Sequence, residues 1–336
     1  MKGVRQELVR QKKAITAVLS TVRQADESHN FAAMNEEIMK DLRKCGSLRD
    51  KPIMPIGGRA TGLGDKSSDL DLVIHINTKR EKEELRKLSN YYRNNGYFKV
   101  VKLVLYAKIP IVRVVHLNTN IEVDISLDTP LNDRSPAIKN TRLMTAYRRN
   151  NQGIAAIFKL FKFLLRGKKV ASAATSGISS YGFSILFFFF LRKKKYIRFI
   201  DPLSFEEEKN NDIIYEHEGI IFLSFLRFIF SQDITENVIQ LRDDPAKTAF
   251  INSNLDMPRI EAVYEQKDLT KALNSTNFID LKCICLDIYE EIKKDFGLSN
   301  DFNLGKLFHK NLSREDRNKV SQFLQTLKKK IDLEYV

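Results

Sequence analysis

Apolar and polar positions follow two different periods along the chain, and the change of period divides it into parts. Residues 5–45 carry apolar side chains at helical spacing, and long helical patterns return after Asn140. Between them, short apolar runs predict strands at residues 53–56, 70–76, 98–105, 109–117 and 121–127. A helical pattern near residues 79–94 lies among these runs. The pattern therefore predicts an α+β fold, with a small mixed sheet inserted into a larger helical body.

The change of pattern also suggests domain limits. We assign residues 49–140 to the sheet domain and residues 1–48 and 141–336 to a helical central domain, with a functional cleft between them. The longest apolar run, Phe183–Leu191, is far shorter than the roughly 20 residues that span a bilayer. It ends in four basic residues, so we expect a buried helix with a solvated basic end; a membrane-surface anchor is the alternative.

The composition favours an anionic partner. Lysine and arginine total 56 against 42 acidic residues, a formal charge of +14, which makes nucleic acid the first candidate. The lysines are spread along the chain, so a merely soluble basic protein is the alternative. Cys45, Cys283 and Cys285 lack zinc-site spacing, which predicts a reducing compartment, with Cys283 and Cys285 buried in a helix. The charged start, residues 1–7, does not resemble a signal peptide.

Two aspartates stand two residues apart in the second predicted strand. Side chains alternate between the faces of a strand, so Asp69 and Asp71 project from one face while Leu70 and Leu72 point to the other. Asp124 lies in the last predicted strand and can join the pair if the two strands are neighbours. Three carboxylates can bind two divalent cations, as in-line phosphoryl transfer requires. One Asp-x-Asp pair alone would favour a solvated strand edge.

A glycine-rich segment comes directly before the acidic strand. Gly57, Gly58, Gly62 and Gly64 fall within eight residues, and glycine lets the backbone approach a phosphate closely. Gly-Gly, then Asp-Leu-Asp-Leu, then Val-Asp-Ile resembles the signature of the DNA polymerase β-type nucleotidyltransferase superfamily.

Further segments follow in the order and spacing of one family within that superfamily. They are Ala107–Arg113, Ile121–Ser126, Asn140–Leu143, Ile157–Phe163, Gly177–Phe183, Phe222–Phe230 and Asn237–Arg242. The chain, from about residue 35 to about residue 275, resembles the noncanonical poly(A) polymerases and terminal uridylyltransferases. The poly(A) polymerase-associated region of that family would cover residues 214–280 approximately.

The resemblance implies a role for each matching residue. Asp69, Asp71 and Asp124 would be catalytic and would hold two Mg²⁺ or Mn²⁺ ions, with an NTP as substrate. Lys162 and Arg166, four apart on one predicted helix, would face the β- and γ-phosphates. The remaining nucleotide-binding positions that the resemblance implies are Gly57 and Gly58 at the triphosphate, Thr141 near the ribose, Ser180 at a phosphate and Tyr181 under the base.

Residue types alone would give simpler roles. Lys162 and Arg166 would form a solvated helix face, Tyr181 would be a core aromatic, and Ser179–Ser180 would cap a helix. The histidines, His75 and His116 among them, lack the spacing of metal ligands.

Three departures from the family pattern concern substrate choice. Gly58 stands where most members have serine, so a hydroxyl to the triphosphate is missing. Residues 128–136 form a longer segment than usual, which leaves Asn132 without an assigned role. In residues 260–268, which align with the base-recognition loop, Lys267 stands where uracil-selective members carry histidine. UTP, ATP and GTP therefore all remain candidate substrates.

These features predict template-independent addition of UMP, AMP or mixed U/purine tails to RNA 3′ ends. A catalytically inactive RNA-binding scaffold and a sensor of the oligoadenylate-synthetase or cyclic-dinucleotide type are the alternatives. No zinc finger or RRM-type motif is visible, so we expect an RNA-binding adaptor protein as a partner, and no membrane. We expect a cytoplasmic location, cytoplasmic RNA granules included, and leave the nucleus open.

Overall fold

The computed structural model describes residues 19, 31–64, 68–172, 175–208, 213–214, 216–254, 256–265 and 267–298. Most of the predicted N-terminal helix, residues 5–30, lies outside these ranges.

A five-stranded mixed sheet forms the first layer of the fold. Its strands are β1 (Ile53–Ile56), β2 (Leu70–His75), β3 (Phe98–Val104), β4 (Ile111–His116) and β5 (Ile121–Asp128), in the order β1-β2-β5-β4-β3. β2 and β5 are parallel, and the other neighbouring strands are antiparallel. All five strands follow the predicted runs closely. β4 begins after Pro110, which has no N–H to donate to a strand ladder.

Two helices share the hydrophobic core of the sheet. These are α1 (Phe31–Leu42) and α3 (Glu81–Asn94). The short helix α2 (Gly57–Thr61) lies between them in the sequence. Ile38 and Leu42 of α1 are fully buried in the same cluster as Leu70 and Leu72 of β2. The domain limit that we predict at residue 49 remains a proposal, and this shared core favours placing residues 31–48 with the sheet.

The rest of the described chain is mainly helical and has its own core. It contains α4 (Ser135–Arg149), α5 (Gln152–Leu165), α6 (Ser180–Lys193), α7 (Glu218–Phe230), α8 (Asp233–Glu236) and α9 (Ser275–Leu298), with a two-stranded sheet of β6 (Val238–Ile239) and β7 (Arg259–Ile260). Every residue of Phe183–Leu191 is buried in α6, which confirms the predicted buried helix. The predicted solvated basic end is wrong for Arg192, which is buried and pairs with Asp244 at 2.6 Å. Within the described ranges, no helix has the length and apolar character needed to cross a membrane.

One prediction about this helical part is wrong in detail. Cys283 and Cys285 both lie in α9, but only Cys285 is buried, and Cys283 is exposed. Residues two apart on a helix project about 200° apart, so only one of the two can face the core.

Candidate active site

Three carboxylates meet where two parallel strands of the sheet lie side by side. Asp71 of β2 pairs in register with Asp124 of β5, and Asp69 comes directly before β2. One carboxylate oxygen from each aspartate lies within 4.8 Å of the others. Leu70 and Leu72 are fully buried on the opposite face of β2. Strand alternation predicts Asp69 and Asp71 on one face, and because β2 and β5 are neighbours the structure brings Asp124 to that pair.

Arg113 forms an ion pair with the third carboxylate. It stands opposite Asp124 on the neighbouring strand β4. Its Nε donates to Asp124 Oδ1 at 2.7 Å, and its Nη2 donates to Oδ2 at 2.6 Å. These hydrogen bonds to Asp124 raise the pKa of Arg113 above its ordinary value. The sequence pattern assigns Arg113 no role, although its position between buried Val112 and Val114 points it away from the core.

The carboxylates are close enough to oppose one another's ionisation. Burial, followed by the charges of Asp69 and Asp124, raises the pKa of Asp71 to about 7, while Arg113 and Arg134 act in the opposite direction. A cation between the three groups would relieve that repulsion. Carboxylate oxygens are also the ligands that Mg²⁺ and Mn²⁺ prefer. The residues present therefore fit a divalent cation.

Residues 57–64, called the glycine turn below, begin with the short helix α2 and lie against Asp71. Gly57 has φ +74°, and a Cβ added there would overlap Asp71 Oδ2, so the close approach requires glycine. The Gly57 N–H donates to Thr141 Oγ1 at 3.2 Å. Thr141 in turn donates to the Ala137 carbonyl at 2.9 Å. Thr141 thus connects the glycine turn to α4. The predicted position of Thr141 near the ribose does not include this contact.

Gly58, the next residue of the turn, has room for a side chain. A Cβ added there would meet Gly64 Cα at 3.4 Å, which is ordinary van der Waals contact. A Cβ added at Gly64 would instead come within 2.8 Å of the Gly58 carbonyl carbon. Close packing of the turn therefore requires glycine at position 64 but not at position 58.

Tyr181 is fixed in the first turn of α6 by two hydrogen bonds. Its hydroxyl donates to Asn140 Oδ1 and accepts the Val263 N–H at 3.4 Å. Burial raises the pKa of the hydroxyl above its ordinary value. The side chain that caps α6 is Ser179, which accepts the Gly182 N–H at 3.1 Å, whereas Ser180 is exposed. Tyr181 therefore joins α4, α6 and the loop that contains Val263.

The two basic residues predicted for the triphosphate are not on one helix. Helix α5 ends at Leu165, and Arg166 has ψ 134°, outside the helical range. Gly167 follows with φ +75°, a conformation that favours ending the helix. Lys162 is half-buried in the last turn and Arg166 is exposed. The predicted placement of both on one helical face is therefore wrong.

The side chain of Arg242 donates hydrogen bonds to the backbone of residues 260–268, called the 260–268 loop below. Arg242 Nε donates to the Val263 carbonyl at 3.1 Å, and its Nη2 donates to the carbonyls of Ala262 at 3.0 Å and Glu265 at 3.2 Å. Lys267 is exposed, and its carbonyl accepts the Ala262 N–H at 3.0 Å. In the sequence, Arg242 is only the last residue of the segment Asn237–Arg242, and no local pattern predicts these contacts.

A second polar cluster ties α1 to the sheet. Carboxylate oxygens of Glu37 and Asp41 and a ring nitrogen of His116 lie within 4.8 Å of one another. His116 Nε2 lies 3.0 Å from Asp41 Oδ2, and Asp41 also pairs with Lys44 at 2.7 Å. His116 Nδ1 lies 2.9 Å from Thr119 Oγ1. His116 and Asp41 therefore have partners, and Glu37 accepts a hydrogen bond from Asn118 at 3.2 Å, so we assign the cluster a structural role.

Comparison with known proteins relates the chain to two groups of RNA-tailing enzymes. Residues 12–149 match the family model of the central palm domain of mitochondrial-like poly(A) RNA polymerase. Human terminal uridylyltransferase 7 is 27% identical over 230 residues, which are 58% of this chain and 15% of that protein. Poly(A) RNA polymerase protein 1 of Eremothecium gossypii is 24% identical over 151 residues, 44% of this chain and 23% of that protein. The chain thus spans less than a quarter of these relatives.

Solved structures show the same fold. The Cid1 poly(U) polymerase is similar with a TM-score of 0.67 and 17% sequence identity, over 87% of this chain and 97% of that chain. The complex of mtPAP with UTP gives a TM-score of 0.62 and 15% identity, over 76% of this chain and 63% of that chain. These similarities confirm the predicted α+β fold. Together with the palm-domain match and the relatives, they support the predicted similarity of the chain to the noncanonical poly(A) polymerases and terminal uridylyltransferases.

Proposed function

We propose that this chain transfers ribonucleotides from NTPs to RNA 3′ ends without a template. The observation that carries the proposal is the cluster of Asp69, Asp71 and Asp124, which lies against the glycine turn. The relatives, a terminal uridylyltransferase and a poly(A) RNA polymerase, support the same reaction class. A scaffold or sensor role has no comparable observation in its favour.

Each part of the site would make a distinct contribution. Asp69 and Asp71 would hold two Mg²⁺ or Mn²⁺ ions, with Asp124 completing the second site; when bound, the ions stabilise phosphate charge and lower the pKa of the RNA 3′-hydroxyl. The backbone of Gly57 and Gly58 would approach the triphosphate.

The helical side of the site would bind the rest of the nucleotide. Lys162 and Arg166 would neutralise the β- and γ-phosphates, and Ser180 would contact a phosphate. Tyr181, fixed by Asn140 and Val263, would stack on the base, and Thr141 would act near the ribose through the turn that it holds.

We infer that the base pocket accepts UTP and at least one purine nucleotide. Tyr181 offers a flat ring without base-specific hydrogen bonding, because its hydroxyl is already engaged by the protein. Lys267 is exposed and stands where a purine-excluding histidine would be. Selectivity needs a steric block or an unsatisfied polar group against the wrong base.

Replacing Lys267 tests this inference. With single NTPs, the unmodified protein should incorporate UTP and a purine nucleotide at comparable rates, and Lys267→His should shift the ratio toward UTP. Lys271→His, at another exposed lysine, should leave the ratio unchanged. Strict UTP use by the unmodified protein at millimolar supply would show that another residue makes the choice.

RNA, an adaptor protein and a cytoplasmic location complete the proposal. The charge of +14 supports RNA as the polyanion. The adaptor and the location, cytoplasmic RNA granules included, rest on the sequence-based expectations alone.

An extension assay with labelled RNA tests the reaction. Asp69→Asn, Asp71→Asn and Asp124→Asn should each reduce nucleotide addition at least about a hundredfold, because each removes a charge needed to bind metal. Asp280→Asn, at an exposed position on α9, should leave the rate unchanged. Near-normal extension by Asp124→Asn would contradict the three-carboxylate site. RNA binding without extension would favour the scaffold, and NTP oligomers formed without RNA would favour the sensor.

A further inference from the structure

Four charged residues form one row across the sheet, at right angles to its strands. Asp71 of β2 pairs in register with Asp124 of β5, Asp124 with Arg113 of β4, and Arg113 with Lys102 of β3. Neighbouring strands lie about 4.8 Å apart, and β5 lies between β2 and β4. Arg113 therefore reaches Asp124 from the side opposite Asp71, next to the three carboxylates and not between them.

The guanidinium of Arg113 contacts both oxygens of the Asp124 carboxylate. The bonds from Nε to Oδ1 at 2.7 Å and from Nη2 to Oδ2 at 2.6 Å form a two-point contact, which fixes the plane of the carboxylate as well as its position. An ionised carboxylate has about four acceptor positions, so two hydrogen bonds leave others open. One Asp124 oxygen lies within 4.8 Å of carboxylate oxygens of Asp69 and Asp71. Asp124 can thus serve Arg113 on one side and a cation on the other.

Arg113 is itself held in place by its strand and by a second carboxylate. Val112 and Val114, on either side of it, are fully buried and anchor the backbone in the core of the sheet. Arg113 Nη1 lies 3.6 Å from Oε2 of Glu122, which stands two residues before Asp124 on the same face of β5. The guanidinium therefore reaches Asp124 from a fixed strand, across one strand spacing.

Two effects of Arg113 on a bound cation oppose each other. Its positive charge repels a cation, but the side chain is 36% exposed, so water and salt screen the charge. Its effect on the orientation of Asp124 acts directly on the ligand. Groups that orient metal ligands commonly contribute about tenfold to a hundredfold to metal affinity. We therefore expect the orienting effect to be the larger one.

We propose that Arg113 is a positioning residue that holds the Asp124 carboxylate in the orientation that a divalent cation requires, an inference that rests on the proposed function. The planar fork is the essential part of the side chain, because a single hydrogen bond would leave the carboxylate free to rotate. Without the fork, Asp124 would spend most of its time in orientations that do not present an oxygen toward Asp69 and Asp71.

Mn²⁺ binding to the full chain, followed by electron paramagnetic resonance without RNA or NTP, tests the proposal. Arg113→Met should weaken Mn²⁺ binding about tenfold. Arg113→Lys should recover little of this loss, because an ammonium keeps the charge and lacks the planar fork. It also carries the test if Arg113→Met does not fold. Lys102→Met is the matched control: Lys102 is exposed and pairs in register with Arg113, so the variant removes an equal charge one strand farther from Asp124. Its Mn²⁺ binding should not weaken.

Two further measurements distinguish positioning from a loss of structure. In the Asp124→Asn background, Arg113→Met should cause no further loss of Mn²⁺ affinity, since the ligand that Arg113 orients is already changed. In the extension assay, Arg113→Met should raise the Mg²⁺ concentration for half-maximal rate about tenfold, and saturating Mg²⁺ should restore most of the rate. A damaged fold would lower the rate at every Mg²⁺ concentration.

Three results would overturn the proposal and leave the proposed function standing. The first is Mn²⁺ binding by Arg113→Met that equals or exceeds that of the unmodified chain, with unchanged circular dichroism; tighter binding would mean that Arg113 competes with the cation. The second is full recovery in Arg113→Lys, and the third is additive losses in the double variant. An unmodified chain that binds no Mn²⁺ would instead contradict the three-carboxylate site on which the proposed function rests.

Discussion

At the scale of the residue, burial and the neighbouring carboxylates make the ionisation of Asp71 unfavourable. Its pKa is raised to about 7 because the side chain is partly buried and faces two other carboxylates. A structural role would not require such an arrangement, since replacing the carboxylates with neutral residues would remove the repulsion. Sites with carboxylates of strongly raised pKa are frequently functional sites.

The raised pKa predicts how the stability of the metal-free protein depends on pH. Between the ordinary value of 3.8 and about 7, the folded protein binds more protons than the unfolded chain. The contribution of Asp71 to the free energy of unfolding therefore falls as the pH rises through that window. Thermal unfolding in EDTA should show this fall in the unmodified chain and a smaller one in Asp71→Asn, while Asp280→Asn behaves like the unmodified chain. Equal slopes in all three would contradict the raised pKa.

Gly58 allows a gain-of-contact prediction. A Cβ at this position would make only ordinary van der Waals contact, so Gly58→Ser should fold normally and place a hydroxyl beside the triphosphate. We expect the KM for NTP to fall about threefold to tenfold, the effect of one added hydrogen bond, with little change in kcat. Gly57→Ala is the contrasting variant, because its Cβ would overlap Asp71 and its φ is +74°; it should lose most activity. An unchanged KM in Gly58→Ser would show that position 58 does not reach the triphosphate.

Some site residues could be predicted from sequence and others could not, for a physical reason. Asp69 and Asp71 are visible because the period of a strand places them on one face. Arg113, Arg134 and Arg242 act on groups that come close only in the folded chain, and no local period marks them. Their contacts span 11 residues for Arg113 with Asp124 and up to 23 for Arg242 with Glu265.

At the scale of the element, the strands were easier to predict than the helix ends. β5 alternates apolar and polar residues along its whole length, β2 contains the apolar run Leu72–Ile74, and Pro110 precedes the start of β4. The end of α5 was misplaced because Arg166 continues the basic spacing of Lys162, whereas Gly167 determines where the helix stops. The 260–268 loop has no repeating pattern, so its shape depends on contacts from elsewhere.

Removing the Arg242 side chain should disturb base selection more than folding. Arg242 donates to three backbone carbonyls of the 260–268 loop, and its side chain is 38% exposed, outside the core. Arg242→Met should raise the KM for NTP about tenfold and change the ratio of UTP to purine use, since each lost hydrogen bond contributes about 1 kcal/mol. Arg242→Lys should recover little, because an ammonium lacks the planar fork. Arg227→Met, at an exposed position on α7, is the control. Unchanged KM and selectivity in Arg242→Met would show that the loop does not need this support.

At the scale of the whole molecule, the described chain has two hydrophobic cores. The sheet has one core and the helical part has the other. The hydrogen bond from the Gly57 N–H to Thr141 joins the sheet side of the site to the helical part, within which Tyr181 donates to Asn140 and accepts the Val263 N–H. A small movement of one part against the other would therefore change the distance between the carboxylates and the base-binding side.

The charge of the whole chain leads to a prediction about RNA. With a net charge of +14 and no sequence-reading motif visible, binding should come mainly from phosphate contacts and counterion release. For single-stranded RNA, affinity should fall at least about tenfold between about 50 and 200 mM salt, as expected for three or more phosphate contacts. Fluorescence anisotropy with two unrelated RNA sequences of equal length should give similar affinities and similar salt slopes. A weak salt dependence, or a strong preference for one sequence in moderate salt, would mean that the chain reads bases itself, and the expectation of an adaptor would then lose its basis.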